Sequence, residues 1–154
     1  MGGYFMPLRP GSAMITQYRV LVADAPDGAE LIARALRGAA GVLPVATGDE
    51  AINRLREAHL LALSIHFNNY RIFDVIRMTK SNPVTRDTPL LCFRANDQAI
   101  PLKVLEALDL AQTLFGHIEF LDVAAARQLH GDDKALRLLR AALLMPLQAR
   151  MAVE

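Results

Sequence analysis

The sequence contains one cysteine and no tryptophan among its 154 residues. The single Cys92 excludes a disulfide framework and a cysteine cluster, and the four histidines supply no pair at the spacing of metal ligands. No segment approaches the roughly 20 apolar residues that a membrane-spanning helix needs. We therefore expect a cytoplasmic protein with no membrane partner, no metal and no cofactor.

An excess of charge of either sign is also missing. Lys and Arg number 17 and Asp and Glu number 16, which leaves a formal net charge of +1. A balance of this kind creates no long-range field that would attract a polyanion. Nucleic acid is therefore not a favoured partner.

What the sequence has is enough apolar material for one core. Hydrophobic residues make up 53% and charged residues 21% of the chain, which is typical of a single globular domain. We expect a loose arm at residues 1–16, a domain at 17–147 and a short tail at 148–154.

The pattern along the chain predicts five alternating β and α units. Short apolar runs predict strands at 20–23, 42–46, 59–67, 89–93 and 117–121. Amphipathic segments predict helices at 28–37, after the capping box of Thr47 and Glu50, around 72–76, at 101–115 and after Asp132, with a short turn at 123–130. Right-handed crossovers between such units give a doubly wound five-stranded parallel sheet.

Three finer expectations follow from this pattern. Pro44 favours an edge position for the second strand, and the alternation of the fifth strand places it at the far edge. Gly38 and Gly41 are expected to end the first helix. The helix at 101–115 is expected to be anchored by the leucines Leu105, Leu108 and Leu114.

Four side chains follow the ends of predicted strands. They are Asp24, Ser64, Arg94 and Asp122. Because the carboxyl ends of parallel strands form the ligand crevice of such a sheet, we expect these groups to lie at one edge. They form neither a recognisable catalytic constellation nor a complete metal site. Arg94 is expected to contact Asp24 or Asp122, and a solvent-facing Asp24 with an unrelated Arg94 is the alternative.

The last predicted helix carries more apolar residues than one sheet face needs. Leu136, Leu139 and Leu143 form one stripe, and a second one consists of Leu138, Ala142 and Met145. A second stripe left in water would be an apolar patch that soluble monomers usually avoid. We expect it to bind a partner or a second copy in a homodimer, and ordinary core is the alternative.

The segment Val20-Leu21-Val22-Ala23-Asp24, together with the order and spacing of the elements over 17–147, resembles the response regulator receiver domain of the CheY-like class. The resemblance implies a flavodoxin/CheY-like sheet of order 2-1-3-4-5. In that family two acids after the first strand bind Mg²⁺, and an Asp after the third strand accepts a phosphoryl group. A Thr or Ser after the fourth strand and a Lys after the fifth strand then respond to it.

Most of these positions depart from the family pattern. The acids fall on Asp24 and Ala25, the phosphoacceptor on Ser64, the switch hydroxyl on Arg94 and the Lys on or beside Asp122. A hydroxyl is a poor acceptor without a base or a metal ion, so the resemblance implies a pseudo-receiver that keeps the fold and lacks the phosphoacceptor Asp.

These observations predict a non-enzymatic signalling adaptor. It would act without phosphorylation, by protein contacts through the helix at 101–115, the strand around Ile118 and the helix after Asp132. The alternative is a small-ligand or nucleotide-binding α/β protein, including an enzyme, that uses the crevice near Asp24, Ser64 and Arg94. Fold alone does not decide between the two.

Overall fold

A computed structural model describes residues 18–24, 26–67 and 71–153. The predicted arm at 1–16 and Ala25 lie outside the described residues. The strands are β1 Arg19–Ala23, β2 Gly41–Val45, β3 Leu60–Ser64, β4 Leu90–Arg94 and β5 Glu119–Asp122. The helices are α1 Pro26–Ala35, α2 Gly48–Arg54, α3 Ile72–Ser81, α4 Leu102–Phe115, α5 Val123–His130 and α6 Asp132–Val153. A 3₁₀ turn at Leu55–Glu57 follows α2.

The strands form one parallel sheet in the order β2-β1-β3-β4-β5. This confirms the predicted fold class and strand order. Both edge assignments are also correct, and Pro44 lies on the edge strand β2, where its missing N–H leaves no gap in a central ladder. All five residues of β3 are buried, as a strand covered on both faces requires.

Two apolar cores cover the faces of the sheet. One lies under α2, α3 and α4, and the other lies under α1, α5 and α6. In the second core Leu139 and Leu143 of α6 are fully buried, as the sequence predicts for its inner stripe. Because every crossover places its helix on a face, the carboxyl edge of the sheet is left to the loops that follow the strands.

The predicted capping box opens α2. The Glu50 N–H donates to Thr47 Oγ1 at 3.1 Å, and Glu50 Oε1 accepts from the N–H of Ala46 at 2.9 Å. The side chain of Glu50 therefore reaches one residue further back than the usual reciprocal pair.

The segment 123–130 is a helix, so the predicted short turn there is wrong. Asp122 Oδ1 accepts from the N–H of Ala125 at 2.9 Å and caps α5. Gly131, with φ of 86°, ends α5 and lets α6 start at Asp132. α6 then continues to Val153, beyond the domain boundary expected at 147.

Two further predictions need correction. Gly38 has φ of 78° after α1, but Gly41 is the first residue of β2 and terminates nothing. In α4 only Leu108 of the three predicted leucine anchors is buried. Val104 and Ala111 complete the buried face, because they lie one turn on either side of Leu108.

None of the helices within the described ranges combines the length and the apolar character that a bilayer crossing demands.

Candidate functional site

The carboxyl edge of the sheet brings together the ends of β4 and β5. Arg94 and Asp122 are partners in the register of these strands, so their side chains start on the same side of the sheet. Ser64 ends β3 next to β4, and Asp24 follows β1. The four predicted residues therefore lie at, or directly after, the ends of strands along this edge.

Ser64 is closed off from solvent. Its residue surface is 1% exposed, and its Oγ accepts from the N–H of His66 at 3.2 Å. A hydroxyl that is buried and accepts a local backbone N–H stabilises the turn after β3. The side chain is therefore not presented to a substrate.

Asp24 is half-buried and turns toward the start of α1. The space that a Cβ would occupy at Gly28 overlaps the Asp24 carboxylate, which therefore lies against the first turn of this helix. An acid near a helix N-terminus interacts favourably with the exposed N–H groups there. The glycine is what allows the carboxylate to approach so closely.

Arg94 and Asp122 form an ion pair, as the sequence predicts for one of the two acids. Arg94 Nη1 lies 3.3 Å from Asp122 Oδ2 and 3.4 Å from Oδ1. The guanidinium also donates to the backbone carbonyl of Gln98, from Nη2 at 2.9 Å and from Nε at 3.2 Å. The side chains are 17% and 30% exposed, so the pair is partly shielded from water.

Asp122 thus performs two tasks with one carboxylate. It caps α5 through Ala125 and balances the charge of Arg94. Arg94 in turn connects β4 to the loop before α4 through Gln98. Together these contacts connect the β4–α4 junction to the β5–α5 junction. We call them the bracket: the Arg94–Asp122 ion pair, the hydrogen bonds from Arg94 to Gln98 and the hydrogen bond from Ala125 to Asp122.

The described residues contain no group of three or more His, Cys, Asp or Glu side chains that could hold a metal ion. The Cys92 thiol is buried in β4, and burial raises its pKa to about 12, so it stays protonated and unreactive at neutral pH.

A second candidate site consists of exposed apolar side chains on α6, α4 and β5. In α6, Arg140 donates to the carbonyls of Ala35 and Arg37, which fixes the flank of α6 that faces α1. At about 100° per residue, Leu138 lies roughly 160° away from Arg140 around the helix, on the flank away from α1. Leu138 and Met145 are 40% and 68% exposed, as the sequence predicts for this stripe. Ala142 is only half-buried and packs against the second core, so it borders the stripe.

α4, which the sequence predicts as part of the contact face, also exposes leucines, among them Leu105, which the sequence predicts as an anchor. Gln112 of α4 donates to the carbonyl of Ile118, just before β5, at 3.4 Å. Leu105 lies two turns before Gln112 and so shares its flank, with the exposed Leu102 one turn earlier. Phe120 is the register partner of the core residue Cys92, so it emerges on the α4 side of the edge strand and is exposed.

We call this set the α4–β5–α6 surface. It is defined by Leu102, Leu105, Phe120, Leu138 and Met145, all of which are exposed. Exposed apolar side chains of this size are candidates for an interaction site.

No protein-family model and no curated protein matches the sequence. Solved structures do match its fold, and the chains are response regulator receiver domains. The phosphorylated cyanobacterial phytochrome response regulator RcpA aligns with a TM-score of 0.62 at 15% identity, over 86% of this chain and 96% of its own. A response regulator from Hahella chejuensis gives 0.59 at 18% identity, over 84% and 97%. One described as putative, from Chloroflexus aurantiacus, gives 0.53 at 22% identity, over 68% and 84%. At this level of identity the likeness establishes the receiver fold and leaves the chemistry to the residues of this chain.

Proposed function

We propose that this protein is a pseudo-receiver, a non-enzymatic adaptor in a signalling pathway that works by protein contacts without phosphorylation. The observation that carries the proposal is the burial of Ser64, the residue that the resemblance to receivers puts at the phosphoacceptor position. Phosphoryl transfer to a receiver needs an exposed carboxylate and a cation that stabilises the developing charge. Ser64 provides neither exposure nor a carboxylate.

The ion pair at the same edge supports this proposal. In a working receiver a free cation and a hydroxyl meet the phosphoryl group, whereas Arg94 here already has its charge balanced by Asp122. The β4–α4 and β5–α5 junctions are thereby held in one arrangement by internal contacts. A domain in this state presents a constant surface to its partner.

The α4–β5–α6 surface is the proposed contact site, and a second copy of the chain is the proposed occupant. Both helices expose acids and bases: α4 exposes Glu106 and Asp109 beside Lys103, and α6 exposes Lys134 and Arg137 beside Asp133. A two-fold dimer that places α4 of one copy against α6 of the other lets acids of each helix pair with bases of the other around the apolar side chains. We place this dimer in the cytoplasm, because nothing about the buried single Cys92 requires an oxidising compartment.

Phosphorylation is tested with acetyl phosphate and with beryllofluoride, each with Mg²⁺. The expected results are an unchanged intact mass and an unchanged melting temperature, with a phosphorylatable receiver treated in parallel as the positive control. Incorporation of one phosphoryl group per chain would refute the pseudo-receiver proposal.

Association is tested by light scattering on the purified full chain. We expect a concentration-dependent dimer that Leu138→Glu combined with Met145→Glu converts to a folded monomer. Leu129→Glu is the matched control, because Leu129 is 76% exposed on α5, outside the proposed surface. A wild-type chain that stays monomeric at high concentration would rule out the second copy as occupant. Unfolding by the double substitution would instead assign the stripe to the core.

A further inference from the structure

The amino edge of the sheet, opposite the Arg94–Asp122 pair, contains a histidine side chain that takes the place of a backbone acceptor. His59 directly precedes β3, and its N–H donates to the carbonyl of Arg19, the first residue of β1, at 2.8 Å. The Arg19 N–H donates in return to His59 Nδ1 at 3.0 Å. His59 therefore holds the start of β1 through one backbone and one side-chain hydrogen bond.

A regular parallel ladder would use a different acceptor at this point. A residue whose carbonyl accepts from position 59 donates its own N–H to the carbonyl of position 57 in such a ladder. Here the Glu57 carbonyl accepts instead from Arg19 Nε at 2.8 Å. The imidazole has therefore replaced a main-chain carbonyl, and the carbonyl that it replaced is already in use.

The ring is held in place by the start of β1. Tyr18 stacks on the His59 ring with a distance of 4.6 Å between the ring centroids and an angle of 20° between the ring planes. Tyr18 is 5% exposed and belongs to the second core, and its carbonyl accepts from the N–H of Gly41 at 2.9 Å. The contact thus lies where β1 first meets both of its neighbouring strands.

Nδ1 can accept a hydrogen bond only while it carries no proton. The contact therefore requires the neutral ring of His59 with its proton on Nε2. Protonation of Nδ1 would set two N–H groups against each other, and the ring would have to turn away from Arg19. Histidine ordinarily changes its charge between about pH 5 and pH 8, so a proton competes with this hydrogen bond in that range.

The charged groups around the ring do not replace the lost acceptor. The guanidinium of Arg19 lies at Glu57, two residues before the ring, and disfavours a second positive charge there. The Glu57 carboxylate lies 3.5 Å from Arg54, and the ring face of Tyr18 attracts a cation only weakly. Further charged side chains at this edge are exposed, and their fields are screened by water and salt: Arg37 before β2, Arg56 in the 3₁₀ turn, and Arg86 and Asp87 before β4.

We propose that His59 is a pH-sensitive switch at the amino edge of the sheet: the neutral ring holds Tyr18 and Arg19 against β3, and protonation releases this end of β1. The unfolded chain binds the proton freely, with the usual histidine pKa of about 6.5, whereas the folded chain binds it only by losing the contact. The stabilisation is therefore complete above that pH and is lost as the pH falls below it. The switch uses no residue of the α4–β5–α6 surface, so it does not depend on the proposed adaptor function.

The first experiment is urea unfolding of the full chain between about pH 7.5 and pH 5.5, followed by far-UV circular dichroism. If only the unfolded chain binds the proton, protonation of His59 raises the unfolding equilibrium constant about tenfold over this range. His59→Asn keeps an acceptor near the position of Nδ1 and cannot be protonated. We therefore expect the ratio of the wild-type constant to the His59→Asn constant to rise about tenfold. His117→Asn is the matched control, because the His117 ring is 75% exposed and contacts Glu119 on the outer strand, and it should follow wild type.

The second experiment needs no variant. The protection factor of the Arg19 amide in hydrogen exchange is expected to fall about tenfold or more between pH 7.5 and pH 5.5, because the N–H loses its acceptor. A ratio of wild type to His59→Asn that does not change with pH overturns the proposal, as does an Arg19 protection factor that stays constant. Loss of the pH dependence in His117→Asn would assign it to His117 and would overturn the proposal as well.

Discussion

Replacing Arg94 with alanine is expected to lower the free energy of unfolding by about 1–3 kcal/mol, the range for hydrogen bonds to charged groups. The side chain makes two contacts with the Asp122 carboxylate and two with the Gln98 carbonyl, and it is 17% exposed. The substitution leaves a partly buried carboxylate without its cation, and this adds to the lost hydrogen bonds.

The ion pair itself is expected to account for a minor part of that loss. Its 3.3 Å separation is longer than the roughly 2.7–2.9 Å of strong charged hydrogen bonds, and Asp122 is 30% exposed. We therefore expect a coupling energy between Arg94→Ala and Asp122→Asn of about 0.5–1 kcal/mol. Asn retains the capping oxygen at α5, so Asp122→Asn should be milder than Asp122→Ala, which also loses a cap worth about 0.5–2 kcal/mol.

The assay is urea unfolding followed by far-UV circular dichroism, since the chain has no tryptophan to report by fluorescence. Arg71→Ala is the control, because the Arg71–Asp74 pair is 71% and 42% exposed and its loss should stay within about 0.5 kcal/mol. Additive effects of Arg94→Ala and Asp122→Asn on the free energy of unfolding would show that the two side chains do not stabilise each other. An Arg94→Ala variant as stable as wild type would show that none of the contacts of Arg94 contributes to stability.

Three other predictions follow from single contacts. Gly28→Ala should destabilise wild type, because the new methyl group overlaps the Asp24 carboxylate, and should be much less harmful in an Asp24→Ala background, where only the Asp24 Cβ position remains close. Equal effects in both backgrounds would show that the Asp24 carboxylate does not lie against Gly28. The N–H of Arg19 donates to His59 Nδ1 at 3.0 Å, so His59→Asn, which keeps an acceptor near that position, should melt at a higher temperature than His59→Gln, and the reverse order would contradict the contact. Burial raises the Cys92 pKa from 9.0 to about 12, so the contribution of the protonated thiol to stability is complete below pH 9 and is lost as pH rises toward 12. Urea unfolding across this range should therefore show that the free energy of unfolding falls more steeply with pH for wild type than for Cys92→Ala. Parallel curves would argue against a buried thiol.

The sheet could be predicted from sequence because its strands carry unambiguous signals. The run from Val20 to Ala23 is short, apolar and followed at once by an acid and a turn, and β3 and β4 are likewise short, mostly apolar runs that end at a polar residue. Pro44 in β2 and the alternation of apolar and polar residues in β5 then predict that these two strands lie at the edges of the sheet. These features depend on residue type alone, so no knowledge of tertiary contacts was needed.

α5 and the buried face of α4 could not be predicted in the same way. The segment after Asp122 has no long apolar stripe, and only the capping acid before it and Gly131 after it mark a helix. Leucines occur on several faces of α4. Residue type therefore does not show that Val104 is buried while the neighbouring Leu105 is exposed. The position of the neighbouring β5 decides between them. The pairing of Arg94 with Asp122 rather than Asp24 likewise depends on the close approach that Gly28 permits.

The strand order also sets the sequence in which the sheet can open. Every pairing among the five described strands is parallel, so each one closes a long crossover, and folding is expected to be slower than for a helical protein of this size. β3 lies at the centre and has neighbours on both sides, whereas β5 has four residues and, within the described part of the chain, pairs only with β4. Amide hydrogen exchange should therefore be fastest at β5 and slowest at β3. β5, the strand that carries Phe120, is thus expected to be the least stable strand of the sheet. A partner that covers it would slow amide hydrogen exchange in β5 and leave exchange in β3 unchanged.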